Sequence, residues 1–204
     1  MGLLSSAVSI TRYRVNGALE NPLLETIAKR LTTNAVCDID DAVSVKIVGW
    51  TSFENPFKPD FSGSSFVYGP YFIFSLRIDK KNLPSKTVQK HIALETEKRL
   101  SKTGREYLSA HEKQMIKDHV LNILNLRIPA TPNLYDIIWD YEAASIWFFS
   151  NLKAANEELE TLFFKSFKVT LTRLFPYTTA DHAIGLSNSQ RDALSNLTPT
   201  LFTA

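Results

Sequence analysis

Tyr71-Phe72-Ile73-Phe74-Ser75-Leu76-Arg77-Ile78, with Leu83-Pro84-Ser85 a few residues further on, sets the reading of this chain. The first half of the run is almost continuously apolar and the second half alternates. That pattern predicts a strand with both faces covered at one end. Gly69-Pro70 just before it reads as a hairpin turn or bulge, so 65–78 becomes a β-rich run in two limbs. Just after it, Pro84 and Ser85 open a helical stretch to about Leu100, which Lys102-Thr103-Gly104 breaks. A second helix runs to about Leu124, with Leu108, Met115, Ile116, Val120 and Ile123 as its apolar stripe. Two capping boxes compete for its start, Thr103-x-x-Glu106 and Ser109-x-x-Glu112. The first helix is less amphipathic, with Val88, Ile92 and Leu100 as its main apolar positions. Two helices on a short Gly-bearing turn make an antiparallel hairpin, and so thin a stripe predicts a projecting arm.

Upstream, residues 6–15 alternate, with Val8, Ile10, Tyr13 and Val15 set against Ser9, Thr11 and Arg14, as in a half-buried strand. Asn21-Pro22 opens a helix to about Leu31 that presents Leu23, Leu24, Ile27 and Leu31 on one face. Val43 to Val48 reads as a short strand ending at Gly49-Trp50, and 51–64, with Pro56, Pro59 and Gly63, as an irregular loop. Downstream of Pro129 and Pro132 the pattern is β–β–α–β. It comprises strands at 134–139 and 145–149, a helix capped by Asn151 to about Phe164, and a strand over 167–174. Residues 176–204 are polar, with a short helix near 188–196. The fold expected is therefore α+β. Two similar antiparallel-sheet units with packed helices, 1–79 and 128–180, are linked by a projecting helical hairpin, 80–127, and followed by a polar tail, 181–204.

Hydrophobic residues at 44% and charged residues at 22% suit a chain of 204 residues that buries a real core. The single cysteine, Cys37, excludes an internal disulfide framework and fits a reducing cytoplasm. No base is evident for it, and it reads as a small buried residue. No apolar run approaches a membrane span. Met1-Gly2-Leu3-Leu4-Ser5-Ser6 fits the loose acylation pattern, but its plainer reading is a strand lead-in. Asn196-Leu197-Thr198 is a glycosylation match without a secreted context.

Charge is distributed unevenly. From Arg77 to Arg127 there are twelve Lys/Arg and six Asp/Glu, so this quarter carries +6 in a chain of net +2. Lys80, Lys81, Lys86, Lys90, Lys98, Arg99, Lys102, Arg105, Lys113, Lys117 and Arg127 lie on or beside the two helices. Such a surface can bind phosphates by counterion release without reading bases. It can equally be a solvated face balanced by Glu112 and Asp118.

No Gly-rich phosphate loop, HExxH or paired-Cys motif is present. Asp38, Asp40 and Asp41 raise a two-metal nuclease, but no partner carboxylates are identifiable, and turn aspartates fit better. His91, His111 and His119 raise a metal site at the hairpin, against the plainer reading of exposed helix histidines. Tyr71, Phe72 and Phe74 raise base stacking, against a place in the core. No catalytic residue, metal or cofactor is assigned.

The order of these motifs resembles the recombination-associated RdgC family. The resemblance rests on the early strand and helix, Gly49-Trp50, the strand over 71–78 leading into Leu83-Pro84-Ser85, and Ile116-Lys117-Asp118-His119-Val120-Leu121. It continues through Leu126-Arg127 and Trp139-Asp140, and spans roughly residues 3–175. It implies a DNA-associated protein of the bacterial cytoplasm and nucleoid, with no membrane and no small-molecule substrate. It also implies a ring-like homodimer that encircles duplex DNA, also meets single strands, and limits RecA access. The hairpin would be the tip of each protomer, with the dimer contact at Ile128 and Pro129. Two departures stand out: Leu126-Arg127-Ile128-Pro129-Ala130 lacks the family's aromatic at the tip, and little chain follows Phe175. The function expected is non-sequence-specific DNA binding through the Lys/Arg set. The alternative is a protein-interaction or self-assembly module that uses the hairpin without DNA.

Overall fold

The computed structural model describes residues 2–40 and 42–198 and has the expected α+β architecture. In chain order the elements are β1 (Thr11–Asn16), α1 (Leu23–Thr33), β2 (Lys46–Thr51), β3 (Val67–Tyr68) and β4 (Tyr71–Lys80). Then follow α2 (Ser85–Thr103), α3 (Ala110–Arg127), β5 (Thr131–Asp140), β6 (Ser145–Phe148), α4 (Lys153–Phe167) and β7 (Thr170–Leu174). Two short helices, α5 (Pro176–Ile184) and α6 (Asn188–Ser195), follow.

The two expected sheet units share one sheet. Its seven strands run β2-β4-β5-β6-β1-β7, with β3 added beside β4, and every strand pairing is antiparallel. Three pairings fuse the halves. β4 and β5 pair from Tyr71↔Asp140 to Lys80↔Thr131, and β1 inserts between β6 and β7 instead of joining β2. β4 is central to the joined sheet: β2 and β3 pair along one of its edges and β5 along the other, while Phe72, Phe74, Leu76 and Ile78 are buried on its core face.

One face of the sheet carries the core. α1 and α4 pack there, and Trp50, Trp139, Phe163 and Phe167 meet at centroid separations between 4.7 and 6.3 Å. Trp50 Nε1 donates to Ser166 Oγ at 2.8 Å, so the indole is buried with its donor satisfied. Gly49 permits the tight approach that seats Trp50, because a Cβ there would sit 2.5 Å from the Val36 backbone. That approach is the parallel bridge Ala35↔Trp50.

Several local expectations shift. β1 starts later than read and buries Thr11, Tyr13 and Val15, leaving Val8 and Ile10 exposed. Thr11 belongs inside because its hydroxyl donates to the Ser150 carbonyl at 2.7 Å. β2 is displaced downstream to Lys46–Thr51, where Trp50 and Thr51 are buried. The helix expected to end near Phe164 runs to Phe167, with Leu152 at its N-cap and no side-chain cap from Asn151. It continues because Phe163 and Phe167 both reach the core. Leu24 is exposed, so α1 buries Ile27 and Leu31 with Leu23 at the margin. Cys37 is exposed, on an irregular stretch between buried Val36 and Ile39. The 65–78 reading holds closely, with Gly69-Pro70 as the turn between β3 and β4.

Candidate nucleic-acid interface

The hairpin of α2 and α3 leaves the sheet between paired strands, since β4 ends and β5 begins at the Lys80↔Thr131 pair. Extended Pro84 precedes α2, where its missing N–H costs nothing. Gly104 ends α2 in the left-handed region at φ +64°, its N–H donating to Leu100 O at 2.9 Å. Of the two competing caps, Ser109 is the one used. Glu112 N–H donates to Ser109 Oγ at 3.2 Å, and Ser109 N–H donates to Glu112 Oε2 at 2.9 Å. Arg105 reaches the same carboxylate at 3.5 Å, which ties the tip loop to the start of α3. Backbone and side-chain hydrogen bonds from Ser109, helped by the nearby arginines, hold the Glu112 carboxyl below its usual range.

The seam between the helices is separate from the sheet core. It buries Leu108, Ile116, Val120 and Leu124, with Leu83, Val88, Ile92 and Leu100 partly covered around them. Nothing on α2 is fully buried. The basic residues therefore occupy surface that packing does not dictate. Lys80, Lys86, Lys90, Lys98, Lys102, Arg105, Lys113, Lys117 and Arg127 are exposed, and Arg99 is partly covered. Lys98 lies 3.6 Å from Glu95, and Arg105 pairs with Glu112. The other eight exposed or partly covered cations of this set have no ion-pair partner among the described residues. Lys86/Lys90, Lys98/Lys102 and Lys113/Lys117 are one helical turn apart, so each pair projects from one side of its helix.

Lys81 must be removed from the set. Its side chain is buried, and its ammonium donates to the carbonyls of Asp40 (2.8 Å), Ala42 (2.7 Å) and Asn125 (2.6 Å). No donor remains for a phosphate. It instead bolts the end of α3 to the loop before β2. Asp40 reinforces that joint, since its Oδ1 accepts the Ala130 N–H at 2.7 Å. Asp38 caps the Asp40 N–H at 2.9 Å, and Asp41 lies outside the described residues. The aspartates of this loop that are described thus serve turn geometry.

His91 and His119 come together on one flank of the hairpin, in a groove of about 320 Å³ with Leu94, Glu95, Lys98 and Arg127. His111 is not among its lining residues. Among the described residues, no group of three His, Cys, Asp or Glu could hold a metal. Phe72 and Phe74 belong to the core, whereas Tyr71 is partly exposed on the opposite face of the sheet. Ile128 is half-buried and Pro129 exposed at the hairpin's exit. Among the described residues, no helix is long and apolar enough to cross a membrane.

Sequence reading missed one feature, a cleft over β1, β6 and β7 walled by α5, because α5 itself went unread. The available signal was Arg12 and Arg14 alternating outward on β1. Comparison with family models and with the curated proteins finds no match for the chain.

Proposed function

We propose that the chain is a non-catalytic, non-sequence-specific duplex-DNA-binding protein whose contacts come from the helical hairpin. The observation that carries this reading is the set of cations on α2 and α3 that lack carboxylate partners, on helices whose outer faces no packing constrains. Lysine and arginine in that setting neutralise phosphates and release counterions, which gives affinity without base readout. The resemblance to the RdgC family supplies the setting: a homodimer on DNA in the nucleoid that limits RecA access.

The test is duplex affinity across a salt series. Binding should weaken steeply with salt, by about 0.9 in log–log slope for each phosphate neutralised. Replacing Lys98, Arg99, Lys102 and Arg105 with Ala should weaken all duplex sequences alike and flatten the slope by up to about 3.6. Undetectable binding at low salt, or binding indifferent to salt, would sink the reading.

A second reading has its own observation. Leu94, Met115 and Leu126 are exposed apolar side chains on the hairpin, a pattern suited to self-association. Sedimentation of a Leu94→Gln, Met115→Gln, Leu126→Gln variant separates the readings. Loss of a dimer with duplex binding intact assigns the apolar residues to assembly and the cations to DNA.

A further inference from the structure

The face of the sheet opposite the aromatic core is covered over part of its width. Leu3 N–H donates to Asp136 Oδ2 at 2.7 Å, and Phe57 lies under the Arg77 guanidinium, so residues near the N-terminus and the 53–57 loop overlie β4 and β5. The cover stops at β6, β1 and β7. There a cleft of about 390 Å³ opens between the strands and α5, within the size range of small-ligand sites.

Its floor is set by register. Arg12 on β1 sits directly opposite Trp147 on β6 and Leu174 on β7, and Arg14 sits opposite Ser145 and Thr172. Residues paired across antiparallel strands have Cβ atoms about 5 Å apart, so two guanidinium stems and an indole share one small patch. Trp147 is 42% exposed, whereas Trp50 and Trp139 are fully buried in the core. Neither arginine has an ion-pair partner among the described residues, and neither is stacked over the Trp147 ring. The carboxylate in the cleft, Asp140, already accepts the Ala143 N–H at 2.9 Å. His182 on α5 closes the far wall, and the buried Ser145 hydroxyl has no hydrogen-bond partner among the described residues.

We propose that this cleft binds a nucleotide unit, with the base stacked on Trp147 and the phosphate held by Arg12 and Arg14. An exposed indole offers a π face that accepts any base, and unpaired arginines beside it supply charge for the flanking phosphate. The unit can come from a single strand or from a free nucleotide. The site is independent of the hairpin and stands whether or not the hairpin binds duplex DNA.

The test uses the full chain carrying the four hairpin Ala substitutions, so that the hairpin adds little background. Probes are a short labelled oligothymidylate read by anisotropy, an abasic phosphodiester of equal length, and thymidine monophosphate as competitor. Trp147→Leu should weaken oligothymidylate binding about tenfold or more, and Trp147→Phe should retain most of it. Arg12→Gln with Arg14→Gln should weaken binding and flatten the salt slope by about 1.4, or 0.7 per contact. Competition by the mononucleotide at matched nucleotide concentration assigns a free nucleotide, and its failure to compete assigns a single strand. An abasic oligomer bound as tightly as the oligothymidylate would overturn the proposal. So would affinity indifferent to Trp147→Leu, which would place the binding away from this indole.

Discussion

In the sheet, Trp50, Trp139, Phe163 and Phe167 enclose one another, with centroids as close as 4.7 Å, and α4 alone buries seven residues. In the hairpin, the seam buries Leu108, Ile116, Val120 and Leu124, and α2, a helix of 19 residues, buries none. The difference decides where the surface is free to carry function. Positions on α4 are fixed by what they touch in the core. Most positions on α2 are exposed, so nothing about the fold calls for lysines there. It also sets local stability, because a helix pair with few buried apolar contacts opens at lower free energy than the sheet beneath it.

The sharpest way to break this comparison is to remove one large side chain from each region. Phe163→Ala should cost about 3–5 kcal/mol in urea unfolding and destabilise the whole chain. Ile116→Ala should cost about 2 kcal/mol, the low end for such a change, and its effect should stay local. Hydrogen exchange reads the distinction: amides of α2 and α3 should exchange faster while those of β4 and β5 keep their protection. Equal acceleration in the strands would mean that hairpin and sheet open as one unit.

The joint between the regions comes next in size. Lys81 holds three carbonyls from two segments, and Lys81→Met leaves those acceptors without their donor. A loss of about 2 kcal/mol is expected, with increased exchange at 40–45 and 124–130. Duplex affinity should fall only as far as the hairpin loosens, because this lysine faces inward.

Lys81 also marks the limit of what the sequence discloses. Counted by charge it is indistinguishable from Lys80, yet one is buried and the other exposed. Periodicity read the β4 strand, its Gly69-Pro70 turn, the hairpin helices and the antiparallel α+β class, because each has a strong local signature. It did not read which strands pair. β1 inserts between β6 and β7 through contacts more than a hundred residues distant in sequence, such as Tyr13↔Ile146, that leave no local pattern. The same gap hid the cleft. Arg12 and Arg14 look like ordinary outward strand residues until register sets Trp147 beside them.

The smallest effects lie at the hairpin tip and test whether its helices depend on local chemistry more than α4 does, which has no side-chain cap at its start. Ser109→Ala removes the acceptor for Glu112 N–H and should cost about 1 kcal/mol. The same cap carries a pH dependence. The Glu112 carboxyl sits below its usual range, chiefly through the Ser109 backbone hydrogen bond, so its folded pKa lies below its unfolded value. The cap's contribution is therefore complete above the unfolded value and is lost as pH falls through the folded one. Amide chemical shifts of Ser109 and Glu112, followed through that acid range, should move together as the cap opens, ahead of any change in the β4 and β5 amides. Glu112→Gln keeps an acceptor for the Ser109 N–H but cannot ionise, so it should retain the cap while abolishing the titration. A titration that persisted in that variant would place its origin outside the cap.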